Sequence, residues 1–80
     1  MADLLQADRV LDCKGMLCPL PVINLSKTIK TMQVGQIVKL IATDKGSPAD
    51  MAAFARNTGQ ELLDSHQEGD QFIFFVKRAK

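Results

Sequence analysis

The run QIVKLIAT, Gln36 to Thr43, limits what this chain can fold into more than any other stretch. Ile, Val and Leu occupy both sides of its alternation, and Lys39 alone interrupts them. A run that is apolar on both faces suits a strand in the middle of a sheet. It needs other strands beside it and helices to cover it.

The rest of the chain supplies both. Arg9 to Cys13 reads as a strand, with Leu11 and Cys13 on one side and Val10 and Asp12 on the other. Lys14 to Leu17 reads as a loop with Gly15 as its flexible point. From Pro19 to about Gln33, Val22, Leu25, Ile29 and Met32 form an apolar stripe at helical period. Lys27 and Lys30 lie off that stripe, and Gly35 ends the helix. After the central strand, DKGSPAD opens a second helix. Ser47 is its expected N-cap, Pro48 its first residue and Asp50 the acidic third position of a capping box. This helix buries Met51, Phe54 and Ala55, runs to about Thr58 and stops at Gly59. Glu61 to His66 and Gln71 to Arg78 are two further strands, joined by the turn QEGD.

The order is therefore β-α-β-α-β-β. Right-handed crossovers put both helices on one face of a four-stranded sheet, an α/β two-layer sandwich. Its other face should carry Ile37, Ile41, Ile73 and Phe75. They form either a partner surface or an area shaded by long neighbouring side chains.

Eighty residues make one domain, with residues 1–8 expected to form a flexible N-terminal segment. The two cysteines and one histidine are too few for a disulfide scaffold or an intrachain structural zinc site, so no metal is expected. MADLLQADRV has neither a basic n-region nor an apolar h-region, and no run is long enough to span a bilayer. The expectation is a cytoplasmic protein with reduced thiols. Ten basic and nine acidic residues argue against general nucleic-acid binding.

One short stretch invites chemistry. In GMLCPLP, Cys18 sits between a glycine-containing loop and two prolines. Pro19 biases Cys18 away from helical dihedrals, which places the thiol at the N-cap with Pro19 as the first helical residue. Pro21 removes a donor, so a thiolate could accept from the Leu20 N–H but not from residue 21; it also biases Leu20 away from helical dihedrals, which leaves Pro21 as an alternative helix start. The helix dipole favours an anion there, although it lowers a thiol pKa by less than about one unit alone. Moderate activation is expected, with the prolines supplying rigidity and exposure.

Other candidates read more plainly. Cys13 is on the core side of its strand, although five residues from Cys18 a resolving role is geometrically conceivable. Asp12 is expected to hydrogen-bond the loop backbone. Asp44 and Asp50 flank a helix start, where capping explains them. His66 reads as a solvated residue at a strand end, without an adjacent acid or nucleophile.

Taken together, LDCKGMLCPLPV, TD at Thr43–Asp44, AD at Ala49–Asp50 and NTGQEL at Asn57–Leu62 resemble the TusA-like (SirA-like) family of small sulfur carriers. The likeness runs from about Arg9 to Lys77 and is strongest in Cys-Pro-x-Pro, with Leu11, Asp12 and Gly15 before it. It implies a βαβαββ fold and a persulfide on Cys18, with Pro19, Pro21, Gly15 and Asp12 as the supporting motif. It also implies a cysteine desulfurase or rhodanese-type donor and a downstream acceptor protein serving tRNA thiolation, cofactor synthesis or sulfur metabolism. No cofactor and no independent turnover are expected. Cys13 is outside the defining motif. Lys14, Lys27 and Lys30 either steer acidic partners or form an ordinary solvated face. Two other functions fit the residues less closely: a non-catalytic RNA- or protein-binding module, and a redox switch using Cys13 and Cys18.

Overall fold

The computed structural model describes residues 6–17 and 19–80. Six elements follow the expected order: β1 (Arg9–Cys13), α1 (Leu20–Lys30), β2 (Ile37–Ala42), α2 (Ser47–Thr58), β3 (Glu61–Glu68) and β4 (Gln71–Lys77). The strands line up as β1-β2-β4-β3, so the two-sided apolar run does become an inner strand. β1 pairs with β2 in parallel, Arg9 opposite Val38 through Cys13 opposite Ala42. β4 runs antiparallel to both β2 and β3.

Both helices cover the same face. Leu25, Ile29 and Met32 from α1 and its end, with Met51 and Phe54 from α2, pack against Cys13, Val38, Leu40, Ala42, Phe74 and Val76. Leu25, Leu40 and Phe74 are fully buried, and each contributes roughly 1.5–3 kcal/mol on leaving water. The far end of α1 is held from the sheet. Arg78 Nη1 donates to the carbonyls of Ile29, at 3.1 Å, and of Met32. The Ile29 carbonyl also accepts from the Met32 N–H at 3.0 Å, and Met32 lies just past the helix end.

The opposite face is not an open apolar patch. Ile73 and Phe75 are only 4% and 5% exposed, while Ile37 and Ile41 are half-buried, so the shaded alternative holds for β4 and in part for β2. Lys39 places its Nζ 5.9 Å above the Phe75 ring centroid. The cross-strand neighbours of Phe75 and Ile73 on β3 are Asp64 and His66.

Several boundaries differ from the sequence reading. The N-cap of α2 is Gly46, not Ser47. The Ser47 N–H donates to the Asp44 carbonyl at 3.0 Å, which draws Ser47 into the first turn. Its hydroxyl then points inward, 1% exposed, with no hydrogen-bond partner among the described residues. Helix α1 stops at Lys30, and β3 continues two residues beyond His66 to Glu68. Asp8, expected in a flexible segment, is pinned to β2: its N–H donates to the Ile37 carbonyl at 2.7 Å and its Oδ2 accepts from the Ile37 N–H at 2.8 Å. Residues 1–5 lie outside the described residues.

Candidate functional site at the β1–α1 loop

β1 ends with Cys13 fully buried in the core. The chain then reverses in a few residues. Asp12 Oδ1 accepts from the Lys14 N–H at 3.0 Å, a local turn of the kind aspartate favours. The Met16 N–H donates to the Cys13 carbonyl at 3.1 Å. Gly15 adopts φ +80°, a left-handed conformation that other residues take at some cost. Its N–H donates to Thr43 Oγ1 at 3.0 Å, which ties the loop to the chain just after β2.

A second turn leads into α1. The Leu20 N–H donates to the Leu17 carbonyl at 2.9 Å, and Cys18 and Pro19 are the two residues between them. Cys18 lies outside the described residues, so its expected N-cap position and thiol geometry are not part of the structure. Its neighbours are described. Pro19, not a first helical residue, is itself the N-cap, with φ −102° and ψ 20°. Helix bonding starts with the Ile23 N–H to the Pro19 carbonyl at 3.1 Å. The Leu20 N–H, expected to be open to a thiolate, is thus engaged by Leu17. Pro21 is fully buried and acts as an anchor for the start of α1.

Part of the exposed apolar surface lies here. Leu17 is 70% exposed, Leu20 49% and Ile23 42%. Beside them an open groove of about 510 Å³ runs between α1 and α2, from Pro19 past Val22, Ala53 and Phe54. Asp50 stands on its wall. No acidic residue occupies the first turn of α1, so nothing within that turn offsets the positive end of its dipole. Lys27 and Lys30 sit in the last turn, where a positive charge suits the helix C-terminus.

The two cysteines part company. Burial pushes the Cys13 thiol above its ordinary value; a hydrogen bond from Asn24 opposes this and the Asp12 carboxylate adds to it. The Asn24 amide also donates to Met16 Sδ at 3.2 Å. Cys13 is therefore a protonated packing group, which removes support from a redox pair with Cys18.

His66 is not the solvated residue expected. Its Nδ1 lies 2.5 Å from Asp64 Oδ2 and its Nε2 2.7 Å from Glu68 Oε2. The signal was present in the sequence: on a strand, residues two apart share a face. Ending the strand at His66 hid only Glu68; Asp64 already lay two residues away within the expected strand. Thr43 and Asn24, which hold the loop, carry no comparable sequence signal of that role.

Residues 9–78 match the protein family described as "Sulfurtransferase TusA". The chain is 46% identical over 79 residues to "Sulfur carrier protein TusA" of Allochromatium vinosum, covering 99% of this chain and 100% of that one. It is 36% identical over 75 residues to "Putative sulfur carrier protein YrkI" of Bacillus subtilis, covering 94% and 100%. Its backbone also superposes on the crystal structure of a SirA-like protein from Desulfitobacterium hafniense, with TM-score 0.77 over 90% of this chain and 99% of the other. At 18% identity that likeness speaks to the fold alone.

Proposed function

This chain belongs to the sulfurtransferase TusA family of sulfur carriers, and we propose that its cargo travels as a persulfide on Cys18. The observation that carries this reading is the withdrawal of Cys13. Of two cysteines, Cys13 is fully buried with its pKa raised, whereas the residues flanking Cys18, namely Leu17, Pro19 and Leu20, are all exposed.

Loading is a thiolate displacement. The Cys18 thiolate attacks the outer sulfur of a donor persulfide, R–S–SH. The R–S bond partner leaves as a thiolate, and Cys18 holds S–SH. One S–S bond breaks and one forms, so no external oxidant is consumed. Delivery repeats the exchange on an acceptor thiolate. Because the sulfur arrives and leaves on other proteins, the carrier needs a presented thiol rather than an enclosed pocket. The rigid frame of Gly15, Pro19 and Pro21, braced by Asp12, supplies that presentation, and Leu17, Leu20 and Ile23 offer apolar contact to a docking protein. A cysteine desulfurase or a rhodanese-type enzyme fits the donor role, and a thiol-bearing acceptor protein follows. Among the described residues no helix is long and apolar enough to cross a membrane.

The test is intact mass after incubation with a desulfurase and cysteine. The parent chain should gain about 32 Da per sulfur atom. Cys18→Ser should gain nothing, and loading of that variant at the parent rate would refute the assignment.

A further inference from the structure

We propose that Asp64, His66 and Glu68 form a proton-operated clamp on the edge strand β3, closed when His66 is an imidazolium and open at one arm when it is neutral. The three side chains sit at alternate positions and so share the face of the sheet away from the helices. Register places them opposite Phe75, Ile73 and Gln71 of β4.

Nδ1 and Nε2 of His66 lie 2.5 Å and 2.7 Å from carboxylate oxygens of Asp64 and Glu68. A neutral imidazole carries one N–H and one lone pair. It can donate to only one carboxylate, and the other contact would then set a lone pair against an anionic oxygen. Both contacts are favourable together only when both ring nitrogens carry hydrogen. The same two hydrogen bonds, Glu68 first and then Asp64, raise the His66 pKa above its ordinary value, and desolvation opposes them.

The other charged groups on this face are cross-strand from the clamp or beyond it. Ile73, Phe75 and Gln71 of β4 do not titrate. On β2, Ile41 lies beyond Ile73, and Lys39 lies beyond Phe75 with its ammonium over that ring. Asp12 of β1 is farther still, opposite Ile41. Asp70 follows Glu68 in the hairpin turn and adds negative charge. Both helices pack on the other face. Lys77, two residues beyond Phe75 on the same face of β4, lies opposite Glu61 rather than the clamp. The clamp thus holds one proton between two carboxylates.

The sign follows from a raised folded pKa. Stabilisation by the clamp is complete below about pH 6.5, the ordinary histidine value, and is lost as pH rises through the folded value. The Glu68 arm is the one to open, because Glu68 is 67% exposed and Asp64 29%. It sits where β3 meets the hairpin turn, so opening loosens that end.

Ring-nitrogen NMR from about pH 5 to pH 9 tests the proposal on the parent chain. Both His66 nitrogens should show imidazolium shifts in mildly acidic solution, with a midpoint above about 6.5. Asp64→Asn and Glu68→Gln should each lower the midpoint, and the double variant should return it towards the ordinary value. Protection of the amides of residues 67–72 from hydrogen exchange should fall through the same midpoint in the parent and show no such step in His66→Gln. A parent midpoint at or below about 6.5 would overturn the clamp, as would a single neutral tautomer under mildly acidic conditions. So would exchange profiles in the parent and His66→Gln that coincide.

Discussion

Replacing Cys13 with alanine separates packing from sulfur chemistry, because the two predict different outcomes in one experiment. Cys13 is fully buried among core side chains. Its sulfhydryl occupies about the space of a methylene group, so losing it forfeits roughly 0.8 kcal/mol of transfer free energy. The cavity left behind adds about 0.5 kcal/mol if the surroundings do not collapse. Asn24 is not orphaned, since its amide still donates to Met16 Sδ. The expected loss is therefore about 1–2 kcal/mol, which for a domain of this size lowers Tm by roughly 5–12 °C. Urea unfolding measures the loss, and intact mass after exposure to the donor measures loading. The Cys13→Ala chain should be less stable and still take up sulfur at the parental level. In a Cys18→Ser background, Cys13 should resist alkylation at mildly alkaline pH until the chain unfolds, because burial keeps it protonated. A folded Cys13→Ala protein that no longer accepts sulfur would refute this reasoning and place Cys13 in the relay. A stability loss well above 3 kcal/mol would show that the packing account is also wrong.

Two further substitutions test parts of the frame. Ser47→Ala should raise stability by about 1 kcal/mol, because it removes a buried hydroxyl with no partner among the described residues. Loss of an N-cap would instead lower it by a similar amount, so the sign alone, read from a urea midpoint, decides. Arg78→Ala should lower stability by about 1.5–2 kcal/mol, since the guanidinium bonds two carbonyls at the end of α1. Arg78→Lys should recover little of that, as an ammonium lacks the planar fork. A change within about 0.5 kcal/mol for Arg78→Ala would show that the contact contributes nothing.

What could be read from the sequence was whatever a side-chain period decides. The two-sided apolar run of β2, the stripe of Leu25, Ile29 and Met32, and the core-side position of Cys13 all follow from alternation or helical spacing. Gly59 was legible because the residue ending α2 takes φ +76°. The caps were not, because backbone turns settled them. The Ser47 N–H going to Asp44 and the Leu20 N–H going to Leu17 each moved a helix start by one residue. In the first case a side chain expected to cap became a buried, unpartnered one. The shading of Phe75 involves Lys39, whose ammonium lies over its ring from the neighbouring strand, which one strand's pattern does not reveal. At the loop, the motif was legible and its braces were not: Thr43 and Asn24 act from elements that come later in the chain.

The break in β3 between Leu62 and Asp64 has a consequence for how the chain tolerates change. Leu62 pairs with Val76 and Asp64 with Phe75, so Leu63 is a supernumerary residue in the ladder. Deleting it would straighten the strand and leave every later residue opposite its present neighbour. Length can therefore vary by one at this spot without sending acids into the interior, whereas the same deletion two positions on would turn the strand's downstream half inside out.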